Sequence, residues 1–137
     1  MLRKIQRIVL QNREIFFINV LCAVDFVASP ASFAPGYQLE GIPGAVAVQG
    51  IGIAFLMWNA TYPLFIWKPC RWRVLGWVIL AQQAIGLVGE LFIASTIPAG
   101  NALLTNSIAR FVGFDAIGLV IMGASFALLM RASRRRR

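Results

Sequence analysis

Four long apolar runs, separated by short loops, occupy nearly all of this 137-residue chain. They constrain the fold more than any other feature. Hydrocarbon offers no partner to a peptide N–H or C=O, so a segment crossing it must satisfy its own backbone, as an α-helix does. Roughly 20 residues at about 1.5 Å rise cross a bilayer core about 30 Å thick. The composition agrees: 59% of residues are apolar and mean hydropathy is +0.75. The sequence therefore reads as all-α, an integral membrane four-helix bundle forming one domain over residues 1–137.

The spans are expected at about 15–33, 45–67, 74–97 and 108–130. Pro30 and Pro35 end or kink the first. Gly36, Gly41, Pro43 and Gly44 supply turn chemistry, and Glu40 is the only charge in that loop. Trp58, Tyr62 and Trp67 gather toward one end of the second span, where aromatic rings favour the interface. Residues 1–13 place Leu2, Ile5, Ile8 and Val9 on one helical face. This segment either lies in the interface as an amphipathic helix or extends the first span by a turn or two. Arg13, Glu14 and Asp25 interrupt any signal-peptide pattern, so the first span is read as uncleaved.

The net charge is +8. The basic residues cluster in the N-terminal segment, in the 68–73 loop (Lys68, Arg71, Arg73) and in the tail at 131–137, while the other two loops hold none. The positive-inside rule places both termini in the cytoplasm, with a bacterial inner membrane as the expected location. The basic segments are expected to contact anionic lipid headgroups. No basic face interleaved with exposed aromatics lies outside the spans, so no nucleic-acid partner is expected. The bilayer, other membrane subunits or further copies of the chain are the expected partners.

The chain has no histidine and two cysteines, Cys22 and Cys70, at different levels of the membrane. No disulfide is expected between them. His-ligated haem, His-containing zinc sites and imidazole acid–base chemistry are excluded. No phosphate-binding glycine loop, nucleophile–base set or metal-ligand cluster can be assembled, so no cofactor, metal or catalytic residue is expected. Asn59-Ala60-Thr61 fits a glycosylation acceptor on paper but falls inside a span.

Five acidic residues serve the chain, and Asp25, Glu90 and Asp115 fall within spans. An ionised group there is costly, so such residues face a bundle interior, pair with one another or take part in transport. Counting along the helices puts Glu90 about 25 Å, Asp115 about 24 Å and Arg110 about 31 Å from the cytoplasmic end, with Asp25 nearer mid-membrane. Arg110 and Asp115 lie about 140° apart around their helix, so Glu90 is the better partner for Arg110. Asp115 is left to face Gln49, Asp25 or water. The five polar residues Asp25, Gln49, Glu90, Arg110 and Asp115 are the candidate site. They would line a cleft for a cation, a proton or a polar headgroup, form the polar half of a quinone or lipid pocket, or make an ion-paired core that fixes helix register. Gln82 and Gln83 point about 100° apart, so at most one meets any single partner. Gly50 and Ala54 form a small-xxx-small pair suited to close helix approach.

A shift of 66 residues aligns Ala28 with Ala94, Ser29 with Ser95, Ile42 with Ile108, Val46 with Val112, Ile51 with Ile117 and Gly52 with Gly118. It also sets Gln49 opposite Asp115. The chain reads either as a tandem repeat of a helix hairpin or as chance matching within an apolar alphabet.

The Gly50-Ile51-Gly52-Ile53-Ala54 stretch, the polar residue late in the third helix and the stretch Ile108-Ala109-Arg110-Phe111-Val112-Gly113-Phe114-Asp115 resemble the DoxX-like group of small four-helix bacterial membrane proteins. The resemblance spans most of residues 15–130. Some members of that group are associated with quinol-linked oxidoreductase or redox-stress complexes. The resemblance implies a non-catalytic accessory or structural subunit of a membrane complex. The alternative is a small proton-coupled or cation transporter or channel, working as a homo-oligomer through its intramembrane carboxylates. An enzyme acting on lipid or quinone would have only the carboxylates, Arg110 and Tyr37 to work with.

Overall fold

The computed structural model describes the backbone of residues 2–134 and the side chains of 13–133. The amphipathic face expected over 1–13 and much of the basic tail at 131–137 thus lie outside the described side chains. Among the described residues the chain is helical and has no strand. α1 spans Leu2–Ala28, α2 Pro30–Phe33, α3 Gly41–Asn59, α4 Tyr62–Trp67, α5 Arg73–Thr96 and α6 Ala102–Arg134, with a 3₁₀ turn at Ala34–Tyr37 between α2 and α3. Residues 2–13 continue into α1 without a break.

Three segments are long and apolar enough to cross a membrane: Gly41–Trp67, which joins α3 and α4, then α5, and most of α6. A fourth exists if α1 from Arg13 and the bent segment Pro30–Tyr37 are taken as one span, the two parts meeting at 105°. The chain is a multi-pass membrane protein by length and apolarity of its helices.

The bend has a local cause. Pro30 has no N–H to continue the α1 ladder and pushes Ser29 out of the helical region (φ −134°, ψ 51°). Ser29 N–H closes the last turn on the Asp25 carbonyl at 2.8 Å. α1 therefore stops at Ala28, short of the boundary expected near residue 33. The second run is interrupted similarly at Ala60 and Thr61, ahead of Pro63 in the first turn of α4. There the Thr61 hydroxyl donates to the Trp58 carbonyl at 3.2 Å and lies 3.3 Å from Gln82 Oε1.

α1 packs chiefly on α3, and α5 on α6, with α1 and α6 joining the two pairs; α3 and α5 do not pack along their lengths. Two apolar clusters mark the ends of the molecule. Ile15, Tyr62, Phe65, Ile79, Met122, Phe126 and Leu129 gather at the end holding the start of α1 and the end of α6. Phe26, Ala34 and Val48 are the buried centre of the other, beside the 3₁₀ turn. Glycines set the spacing within each pair. A Cβ on Gly52 would lie 2.8 Å from the Ala23 carbonyl and 2.9 Å from side-chain carbons of Phe26 and Val27. One on Gly118 would lie 3.2 Å from Gln83 Nε2. Gly50 and Ala54, expected at a helix contact, are instead exposed, and Gly50 faces open space.

Candidate functional site

Where α3 and α5 stand apart, a cavity of about 540 Å³ runs between the two helix pairs. That volume lies within the range of small-molecule sites. α1 contributes Ile18, Asn19, Cys22 and Phe26, and α3 contributes Phe55, Trp58 and Asn59. α5 contributes Gln83, Gly86 and Glu90, while α6 contributes Ser107, Arg110, Phe111, Phe114 and Asp115. Tyr37 and Gly36 of the 3₁₀ turn complete one end.

Its wall at that end is aromatic and centred on Phe26, which is only 2% exposed. The Phe26 ring lies 4.7 Å from Phe33, 6.1 Å from Phe55 and 6.3 Å from both Tyr37 and Phe111, centroid to centroid. Such spacings suit tilted and edge-on aromatic packing. The Ser107 hydroxyl donates to the Gly36 carbonyl at 2.7 Å and ties α6 to the turn. Nearer the middle, Trp58 reaches across from α3 to α5. The place of a Cβ on Gly86 lies 2.8 Å from both the Trp58 ring and Asp115 Oδ2. Only a residue with no side chain lets an indole and a carboxylate meet over α5 at that point.

Three of the five sequence candidates meet in this cavity: Glu90, Arg110 and Asp115. Asp115 Oδ1 accepts from Gln83 Nε2 at 2.8 Å, and the same amide lies 3.3 Å from the Asp115 carbonyl. Gln83 is 1% exposed, so this bond is made inside the bundle, where a carboxylate–amide contact is stronger than in water. Glu90 Oε2 is buried and has no hydrogen-bond partner. The expected Glu90–Arg110 ion pair is not formed, although both side chains line the cavity. Arg110 is exposed.

Asp25 and Gln49 do not reach the cavity. Asp25 is exposed on α1. Gln49 Nε2 donates to the Val27 carbonyl at 3.2 Å, across the α1–α3 pair. Asp115 therefore faces Gln83, and neither Gln49 nor Asp25 is its partner. The two glutamines split as their spacing requires: Gln82 faces Thr61 and Gln83 faces Asp115.

Asn59 also lines the cavity, although it is not among the five sequence candidates. It is 4% exposed, and its Nδ2 donates to the Phe55 carbonyl one turn back at 2.8 Å. Its Oδ1 is buried without a partner. The signal in the sequence is an amide within an apolar run, four residues after Phe55. Among the described residues no group of acids and cysteines could hold a metal ion. Cys22 and Cys70 are both free thiols.

No protein-family model, curated protein or solved structure matches this chain.

Proposed function

We propose that this protein is a non-catalytic membrane protein that holds a small amphipathic molecule in the cavity between its two helix pairs, as an accessory subunit to a partner in the same membrane. The cavity carries the reading: it combines aromatic walls with a few polar groups, two of them acceptors without protein partners. Stable helix cores do not need such a space, since interiors close to near-crystalline density. A flat apolar body would lie among Phe26, Phe55 and Phe111, while Asp115, Asn59 and Glu90 would orient its polar groups. The kinship with the DoxX-like group, a redox-linked partner, cytoplasmic termini in a bacterial inner membrane and the anionic-lipid contacts of the basic segments belong to this same proposal. The tandem-hairpin origin does too. Gly52 and Gly118, aligned by the 66-residue shift, each face the first helix of their own pair.

Native mass spectrometry of the protein, released gently from its own membrane, tests the reading. A bound small molecule, lost when Gly86 is enlarged, together with a heteromeric assembly supports it. A chain carrying only ordinary phospholipid and no partner counts against it. The second reading, a homo-oligomeric proton or cation pathway, draws on Glu90 and Asp115 lining one cavity. It requires ion flux in liposomes that Glu90→Gln or Asp115→Asn abolishes.

A further inference from the structure

Resting on that cavity being a ligand site, the geometry points to an aromatic ammonium as its ligand class: a flat ring carrying a protonated amine held at Asp115 and Asn59. The polar groups are unevenly distributed. Gln83, the amide donor beside Asp115, already donates to it at 2.8 Å. Asn59 Nδ2 is committed to the Phe55 carbonyl at 2.8 Å, which leaves its Oδ1 buried as an acceptor with no donor. Glu90 Oε2 is in the same condition. Arg110, Asn19 and the Tyr37 hydroxyl also line the cavity, and none of them reaches either acceptor. A buried acceptor without a donor is costly, and a ligand bearing N–H groups relieves it.

Charge points the same way. Two carboxylates and one guanidinium line the cavity. Arg110 is exposed, and it sits five residues along α6 from Asp115, or about 7.5 Å of helix rise. It neutralises the inner carboxylate poorly. The walls suit the rest of such a ligand: the edge of the Trp58 ring lies beside Asp115 at Gly86, and the Phe26, Phe55 and Phe111 rings offer apolar surface to a flat body. A ligand with only carbonyl acceptors would find donors in Arg110, Asn19 and the Tyr37 hydroxyl but would leave Asn59 Oδ1 and Glu90 Oε2 unmet.

The test compares naphthylethylamine with naphthylethanol, which keeps the ring and one donor but lacks the charge. Binding is measured by equilibrium dialysis against the full chain in zwitterionic-lipid nanodiscs, with protein-free nanodiscs subtracted. The expected result is at least about tenfold tighter binding of the amine, a difference of about 1.4 kcal/mol. Asp115→Asn is expected to abolish that preference, and Asn59→Leu to weaken the amine more than the alcohol. The wild-type comparison needs no variant to fold. Equal binding of the two probes overturns the ammonium assignment and leaves the cavity as a ligand site. Binding of neither overturns both.

Discussion

At the scale of single residues, the direction a side chain takes around its helix decides what a polar group does in this membrane protein. Asp25 and Phe26 are neighbours in sequence, about 100° apart on α1. Phe26 is the buried hub of the aromatic wall, and Asp25 is turned outward. Residue type alone marks Asp25 as costly, but azimuth is set by which face of α1 meets α3, and that depends on Gly52 far along the chain. Gln82 and Gln83 show the same contrast, and they give a clean comparison. Gln83→Leu leaves Asp115 without its donor, and a loss of about 1–2 kcal/mol is expected from interhelical hydrogen bonding of this kind. Gln82→Leu gives up only a 3.3 Å contact with Thr61, and a loss of roughly 0.5 kcal/mol is expected. Unfolding in mixed micelles at rising dodecyl sulfate fraction measures both. Equal losses would show that the Asp115 contact carries no special weight. Gly86→Ala puts a methyl 2.8 Å from Trp58 and Asp115 and is expected to weaken naphthylethylamine binding several-fold. Gly89→Ala enters open space and should bind as the wild type does.

At the scale of elements, the apolar runs and the first breaker were legible, and the contacts between them only in part. Proline chemistry marks the expected break at Ser29–Pro30, because a missing N–H acts locally, while the interruption before Pro63 falls inside a run expected to be continuous over 45–67. The 105° turn of the segment after α1 was not legible, since the angle follows from how the Phe33 and Tyr37 rings dock on Phe26. The small-residue stripe in α3 was visible, but the choice among its members was not. Gly50 and Gly52 are two apart, roughly 200° around the helix. Only packing tells which one faces α1. Gly52→Val must push α1 away, because the obstacle is the Ala23 carbonyl at 2.8 Å and a backbone atom cannot rotate aside. A loss of about 1–3 kcal/mol is expected, the usual range for overpacking. Gly50→Val meets nothing within 4 Å and is expected to stay within about 0.5 kcal/mol of the wild type. If Gly50→Val proves the more damaging in membranes but not in detergent, that face of α3 meets another chain.

At the scale of the whole molecule, the two helix pairs are each closed by glycine contacts and only loosely closed against each other, which is why a cavity lies between them. Its existence was not legible in the sequence. An apolar run reads alike whether its inner face packs on a neighbour or lines a space, and an amide inside it such as Asn59 does not say which. The charge pattern speaks to a different property, the orientation of the molecule in its membrane. α6 covers 33 residues, about 50 Å of helix and longer than a bilayer core, so one end must project. The proposed orientation puts that end, with Arg131 and the 68–73 loop, in the cytoplasm. Cys70 is exposed in that loop, whereas Cys22 is half-buried in α1, so the chain carries its own topological probe. In a Cys22→Ala background, a membrane-impermeant maleimide applied to intact spheroplasts is expected to leave Cys70 unlabelled until the membrane is opened. With Cys70 also replaced, Asn101→Cys in the loop between α5 and α6 should label at once. The opposite pattern would invert the protein and move the cavity's Arg110 end to the cytoplasmic side, where a partner supplying or removing the ligand would then have to be sought.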